Sequence, residues 1–372
     1  MKKIAIIGAS YLQLPLVEKA MELGIETHCF AIEEGAVCRD VADFFYPISI
    51  VEKDLILEKC LEIQIDGICS ISSDVAVPTI AFVADKMGLI GNSNECALKS
   101  TNKFQMRQAF EKANLNSPKY ILGSDIEKYT NLQFPLIVKP TDRSGSLGVK
   151  KVFNYEDLKD AIEFAEKSAL SKQAIVEEFI NGVEVSVESV SWEGEHFILN
   201  ITDKETTGEP HFVELAHHQP SSLQNDIQEK IKSKTLKALQ ALEVRYGASH
   251  TEFLITEKGE IYIVELGSRM GGDFIGSDLV YLSTGYDFLK NVILISLGEF
   301  EKPVIKRNKY SGVYFLSEES AFIKRYILED KKDNWHVKSE LTNSELKSLR
   351  SSADRSGYLI YSSDKKMVFD II

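Results

Sequence analysis

Through its first hundred residues the chain alternates short apolar runs with amphipathic segments, and beyond them that alternation stops. "KIAIIGA" reads as a buried strand, "LPLVEKAMELG" as a helix closed by Gly24, and "IETHCFAI" as a second strand. "VEKDLILEKCLEIQ" reads as a helix, "IDGICSI" as a strand and "VAVPTIAFVADKMG" as a helix. Strands separated by helices imply an open parallel sheet, because parallel neighbours need a crossover connection. The ligand edge of such a sheet lies at the carboxyl ends of its strands, here around Gly8–Ser10 and Ser72–Asp74. Past the helix "NKFQMRQAFEKANL" the strands become antiparallel in character: "PLIVKP", "AIVEEFI", "VEVSVESVSW" and "EHFILNITDKE". A hairpin, "ASHTEFLIT" and "EIYIVELG", is turned by "EKGE". Helices are expected in "YEDLKDAIEFAEKSAL", over 223–244 and in "DFLKNVILISLGE", with further short strands in "YSGVYFL" and "SGYLIYSS".

At 372 residues the chain exceeds the usual size of a single core, so several packed units are expected. A formal charge of -13 argues against a nucleic-acid or anionic-membrane surface. The five cysteines, Cys29, Cys38, Cys60, Cys69 and Cys96, are odd in number and contain no C-x-x-C pair. Reduced thiols in a cytoplasmic protein fit that pattern better than a disulfide framework or a zinc site. The apolar N-terminus is interrupted by Gly8, Gln13 and Pro15, which argues against an export signal. No apolar run is long enough to cross a bilayer.

Two glutamates carry the first chemical signal. Glu252 in "HTEFLI" and Glu265 in "YIVELGSRMGG" stand in strands joined by a tight turn, so pairing brings their carboxylates together. Carboxylates that close repel unless a cation lies between them, and Mg²⁺ prefers such hard oxygen ligands. The alternative is a pair of solvent-facing strand glutamates. Arg269, four residues on, suits a phosphoryl or acyl-phosphate oxygen, and Gly271 and Gly272 permit close backbone approach.

"KPTDRSGSLGVKKV" (139–152) holds a lysine, small hydroxyls and two glycines, yet it is no P-loop, because Val149 rather than lysine follows Gly148. Strands flank it, which excludes a dinucleotide loop as well. The loop predicts a hairpin in which Ser144, Gly145, Ser146 and Gly148 cover phosphate oxygens, with Lys139 at its base. "VEEFINGVEVSVE" adds Glu177, Glu178 and Glu184 in an extended segment able to meet an adenine edge and a ribose.

The order "NKF", "IVKP", glycine-rich hairpin, "VEEFINGVE", "TEF", "VELGSRMGG" resembles the ATP-grasp superfamily over about residues 95–300. The resemblance implies a Rossmann-like unit at 1–97 and a small ATP-grasp subdomain with its lid at 98–175. It also implies a large subdomain with the metal site at 176–300 and a small C-terminal α+β region at 301–372. The fold class expected is therefore α/β followed by α+β.

By the same resemblance Lys103 and Lys139 contact ATP phosphates, and Ser144–Gly148 form the lid. Glu177, Glu178, Phe179 and Ile180 form the adenine hinge, Glu184 binds ribose, Glu252 and Glu265 hold Mg²⁺ or Mn²⁺, and Arg269 stands beside the phosphoryl group. Gly267 departs from the asparagine that many members carry there.

The implied reaction is ATP-dependent joining of a carboxylate, activated as an acyl phosphate, to an amine. An amino acid or small carboxylate is the expected substrate, and a homodimer is possible by analogy. Bicarbonate activation and non-catalytic nucleotide binding are the alternatives. "ITDKETTGEPHFVELAHHQPSSL" (201–223) is expected to decide the substrate, with Lys204 or His217 holding a carboxylate or a histidine taking the amine proton. The alternative for His217 and His218 is a solvent-facing pair. Ser10 and Asp74 are weaker second-substrate candidates, and Asp74 reads more readily as a helix N-cap.

Overall fold

The computed structural model describes residues 1–128, 133–145, 147–209, 211–329 and 333–369. Strands β1 (Lys3–Ile7), β2 (Glu26–Phe30), β3 (Phe44–Tyr46) and β4 (Gly67–Cys69) form a parallel sheet in the order β3-β2-β1-β4. Helices α1 (Leu14–Glu22), α2 (Lys53–Ile63) and α3 (Val77–Met87) supply the crossovers that the alternating pattern required. Both faces are covered, so β1 is apolar throughout, with Ile4, Ala5, Ile6 and Ile7 fully buried.

Helices α4 (Asn94–Thr101) and α5 (Lys103–Lys112) lead out of this unit. The break between them is a cap: the Asn102 side chain accepts from the amides of Phe104 and Gln105. A four-stranded antiparallel sheet follows, in the order β5-β8-β6-β7, from β5 (Tyr120–Leu122), β6 (Leu136–Pro140), β7 (Lys150–Val152) and β8 (Ala174–Glu178). It packs against α6 (Tyr155–Ser168) through Leu158, Ala161, Ile162 and Ala165.

The third layer is an eight-stranded sheet, β13-β12-β9-β10-β11-β14-β16-β15. Its strands are β9 (Val183–Trp192), β10 (Glu195–Thr206), β11 (Glu214–Gln219), β12 (Gly247–Ile255), β13 (Ile261–Gly267), β14 (Tyr310–Leu316), β15 (His336–Leu341) and β16 (Gly357–Ser363). Helix α7 (Asn225–Ala241) lies on one face, where Ile231, Ala238 and Leu239 meet Val185, Val187 and Phe253. Alternation along β9 and β12 then sends Glu184, Glu188, His250 and Glu252 to the opposite face. Helices α8 (Val280–Thr284) and α9 (Phe288–Ser296) join β13 to β14, and α9 packs on β1 and β4 of the first sheet.

The stretch 201–223 holds the end of β10 and all of β11, and β11 connects the strands of the β12–β13 hairpin's sheet to the C-terminal strands. Asp74 is not the cap of α3. It sits in the first turn of a short 3₁₀ segment, Asp74–Ala76, and neither that segment nor α3 has a side-chain cap bond. Its carboxylate is held by Arg269 instead, a partner 195 residues away. Among the described residues no helix is long and apolar enough to cross a membrane. All five cysteines are free and buried.

Candidate active site

Glu252 and Glu265 are directly opposite each other in the β12–β13 ladder, so both carboxylates project from the same face. Each is met by a lysine. Lys103 Nζ donates to Glu265 Oε1 at 2.9 Å, and Lys204 Nζ to Glu252 Oε1 at 2.9 Å. Lys204 is 4% exposed at its side chain and also bonds Glu184, with Glu214 at 3.6 Å. Burial opposes its charge, but the Glu184, Glu252 and Glu214 carboxylates outweigh burial and hold its pKa well above the usual lysine value. Glu252 is pulled the other way: burial would raise its pKa, yet Lys204 and His250 hold it well below the carboxylate range. For Glu184 burial wins and its pKa rises.

His250 is the first residue that sequence reasoning missed. Its Nδ1 bonds Glu188, which is fully buried, and its Nε2 lies 3.3 Å from Glu252 Oε1. Burial alone would lower its pKa, but the two carboxylates raise it to about 9, so it is an imidazolium at neutral pH. The signal was available, since His250 and Glu252 are two apart in one strand and share a face.

Lys139, at the end of β6, is 7% exposed and donates to Glu177 Oε2 at 2.7 Å. Glu177 Oε1 lies 2.7 Å from Nε of Arg107, an ion pair whose geometry is poorly aligned for a hydrogen bond. Arg107 is fully buried, and nothing singled it out in the sequence, although it stands one helical turn beyond Lys103 on α5. Burial would raise the pKa of Glu177, but the two cations lower it. For Lys139 desolvation, helped by the Arg107 and Lys103 charges, outweighs the Glu177 and Glu265 carboxylates, and its pKa falls. For Lys103 burial also opposes the charge, but Glu265 prevails and its pKa rises.

The hairpin expected at 139–152 is present, with β6 and β7 antiparallel in the register Leu136↔Val152. Its base is fastened. Asp142 accepts from the amides of Leu170 and Ser171, Arg143 Nε donates to the Ser168 carbonyl, and Lys103 Nζ donates to the Arg143 carbonyl. Ser144 and Gly145 beyond that base are exposed. Gly145 and Gly148 take φ of +62° and +77°, a conformation that favours glycine. Ser146 lies outside the described residues.

In the hinge, Glu178 accepts from the Lys119 amide at 3.0 Å and the Phe179 amide donates to the Pro135 carbonyl at 3.2 Å. Lys151 Nζ stands 3.4 Å from the centre of the Phe179 ring, and Ile180 is half-buried.

Arg269 reaches Asp74 through Nε and Nη2, both at 2.8 Å, a bidentate pair that joins the metal hairpin to the ligand edge of the parallel sheet. A Cβ at Gly267 would stand 2.7 Å from Asp74 Oδ1, so this pair fills the space that a larger residue would need. Ser72 on the same edge donates its amide to the Met270 carbonyl. Ser10 stays in its own turn, bonded to Gln13.

His217 and His218 are not a solvent-facing pair: they are 1% and 0% exposed. They face opposite sides of β11. His218 bonds the Tyr361 hydroxyl at 2.9 Å, inside an aromatic cluster. His217 is opposite Lys204 in the β10–β11 ladder, and its Nε2 lies 3.6 Å from Asp273. Burial lowers its pKa despite Asp273. Asp273 is also bonded by Arg355, 2.9 Å away, and Arg355 reaches Glu214 at 3.3 Å. Sequence reasoning found neither Arg355 nor Glu214. Among the described residues no three histidine, cysteine or acidic side chains converge as a ready-made metal cluster.

This arrangement of two α+β layers around a carboxylate pair agrees with what the chain is similar to. Residues 132–278 match the ATP-grasp domain family. Alanine–anticapsin ligase of Bacillus subtilis (strain 168) is 26% identical over 278 residues, which cover 65% of this chain and 58% of that protein. The chain thus spans less than two thirds of that relative's length. Among solved structures, phosphoribosylglycinamide synthetase from Anaerococcus prevotii superposes with a TM-score of 0.77 at 26% identity, covering 98% of this chain and 94% of that one. L-amino acid ligase from Bacillus licheniformis gives a TM-score of 0.76 at 22% identity with the same coverage, which speaks for the fold. The chain thus resembles the ATP-grasp domain family in sequence over residues 132–278 and these enzymes in fold along nearly its whole length.

Proposed function

We propose that the protein is an ATP-dependent carboxylate–amine ligase acting on an amino acid or small carboxylate. A carboxylate oxygen attacks the γ-phosphorus of ATP, and the bond to the bridging oxygen breaks to release ADP. The amine then attacks the acyl carbon, the C–O bond breaks to release phosphate, and the amine loses a proton. The observation that carries this reading is the opposed Glu252–Glu265 pair on a sheet face shared with Lys204, with Lys103 bonded to it and the hairpin above. No serine or cysteine nucleophile is needed, because positioning and charge stabilisation supply the rate. That a curated relative is a ligase joining alanine to anticapsin supports the same class.

The paired hard-oxygen donors fit Mg²⁺ or Mn²⁺, which when bound would neutralise phosphate charge. Lys103 and Lys139 would orient the phosphates, and Arg269 would steady the transferring group. Glu177–Ile180 would hold the adenine, Glu184 the ribose, and Ser144–Gly148 would exclude water from the acyl phosphate. We place this activity in the cytoplasm, in a homodimer whose protomers divide into units near residues 97, 175 and 300.

ADP release from purified protein with ATP, Mg²⁺ and amino-acid mixtures tests the reading. Stimulation by a carboxylate–amine pair is expected, and its absence with every pair would sink it. Turnover driven by bicarbonate without an amine would replace it with bicarbonate activation, and nucleotide binding without turnover with a non-catalytic role. Glu265→Gln is expected to lower ADP formation at least ~100-fold while the protein still folds, as circular dichroism would show. Full activity in that variant would refute the metal assignment.

A further inference from the structure

A cavity of about 340 Å³ opens between the first loop of the parallel-sheet unit and the C-terminal strands. Its walls include Tyr11, Phe274 and Tyr358, with Asp273, Arg355 and Glu340 as the charged groups. That size lies at the small end of ligand pockets, roughly 300–1,000 Å³, and suits one amino acid rather than a large cofactor.

The cavity is wired to the carboxylate pair. Glu252 contacts Lys204, Lys204 approaches Glu214, Glu214 contacts Arg355, and Arg355 contacts Asp273 on the cavity wall. Two consecutive residues on that wall, Asp273 and Phe274, take φ of +51° and +64°. Left-handed backbone costs a non-glycine residue of order 1–2 kcal/mol, and such strain concentrates where a side chain must be aimed. Here it follows directly on the Gly271–Gly272 turn and sets the Asp273 carboxylate against Arg355 and the Phe274 ring 4.4 Å from that of Tyr358.

The charged groups of the wall are two carboxylates and one guanidinium, which leaves it one charge negative. The guanidinium is already engaged. It is bonded to Asp273 and Glu214 and stands 3.6 Å from the Phe315 ring centre. His217 behind Asp273 is neutral at pH 7, since burial lowers its pKa. An ammonium group is therefore welcome at Asp273, and a second carboxylate on the ligand is not. The aromatic walls favour an apolar or aromatic side chain.

We propose that this cavity is the specificity pocket for the amino-acid substrate, binding its ammonium at Asp273 and a neutral apolar or aromatic side chain against Tyr11, Phe274 and Tyr358. The assignment rests on the ligase reading above, and its test separates the two.

Calorimetry on the full chain with Mg·ADP measures binding of L-phenylalanine, L-leucine and L-aspartate, alongside ADP formation with the same amino acids. L-phenylalanine and L-leucine should bind about tenfold or more tightly than L-aspartate. Asp273→Asn should weaken L-phenylalanine about tenfold. Because that variant disturbs a buried ion pair, Ser352→Trp, an exposed residue at the cavity mouth, serves as the second. It should block L-phenylalanine with an unchanged melting temperature. Binding that Ser352→Trp abolishes supports the pocket even if no ADP forms, in which case only the ligase reading fails. ADP formation whose amino-acid preference survives Ser352→Trp overturns the pocket and leaves the ligase reading intact. Failure of all three amino acids to bind at millimolar concentration also overturns it.

Discussion

Arg107, Lys139 and Glu177 form a buried trio of two cations and one carboxylate, each at most 7% exposed. Such a group contributes little against an apolar replacement of the whole, but removing its single carboxylate leaves two buried cations uncompensated. Glu177→Gln is accordingly expected to cost about 3–5 kcal/mol of unfolding free energy. Denaturant melts measure this, and a loss below ~1 kcal/mol would mean that the two cations find other partners. Lys139 was legible because a lysine closing an apolar strand demands an anion. Its anion was not, because Glu177 lies on a neighbouring strand and was read as hinge. Arg107 escaped altogether: on a helix, an arginine among polar residues is ordinarily solvated.

The lid hairpin shows how much an element adds to its residues. Gly148 has φ +77°, and a Cβ there would stand 2.8 Å from Pro140 and 2.9 Å from the Ser168 side chain. Gly148→Ala combines a backbone cost of roughly 1–2 kcal/mol with that crowding. Since Pro140 directly follows Lys139, the strain falls on the base of the phosphate loop. The expected outcome is a lower melting temperature together with a rise in the KM for ATP that exceeds the fall in kcat. An unchanged KM would separate the loop from nucleotide binding. The element types along the chain were legible from period and turn residues, from β1 to the hairpin of β12 and β13. Strand β11 was not, because "ELAHHQ" has no polar–apolar alternation: its His218 face meets the aromatic cluster around Tyr361, and its His217 face meets Asp273.

Over the whole molecule, four histidines are buried in ways that lower their pKa: His28, His196, His217 and His218, with desolvation the main cause in each. A base whose folded pKa lies below its unfolded value of about 6.5 takes up a proton on unfolding, so stability falls as pH drops through that value. His250, raised to about 9, acts the other way, but it is one group against four, so denaturation midpoints should be lower at pH 5.5 than at pH 7.5. His196→Gln should lessen the drop, since that ring bonds Ser191 and has no carboxylate beside it. Equal midpoints at the two pH values would refute the argument. By itself the sequence determined the order of elements, the parallel first sheet and the carboxylate pair, because period, turn chemistry and a two-strand hairpin are local properties. Only the tertiary structure decided the partners: Arg269 with Asp74, Lys103 with Glu265, and Arg355 with Asp273 are 195, 162 and 82 residues apart. Charge pairing acts through space and leaves no periodicity along the chain, so the cavity lined by the Arg355–Asp273 pair had no sequence signature.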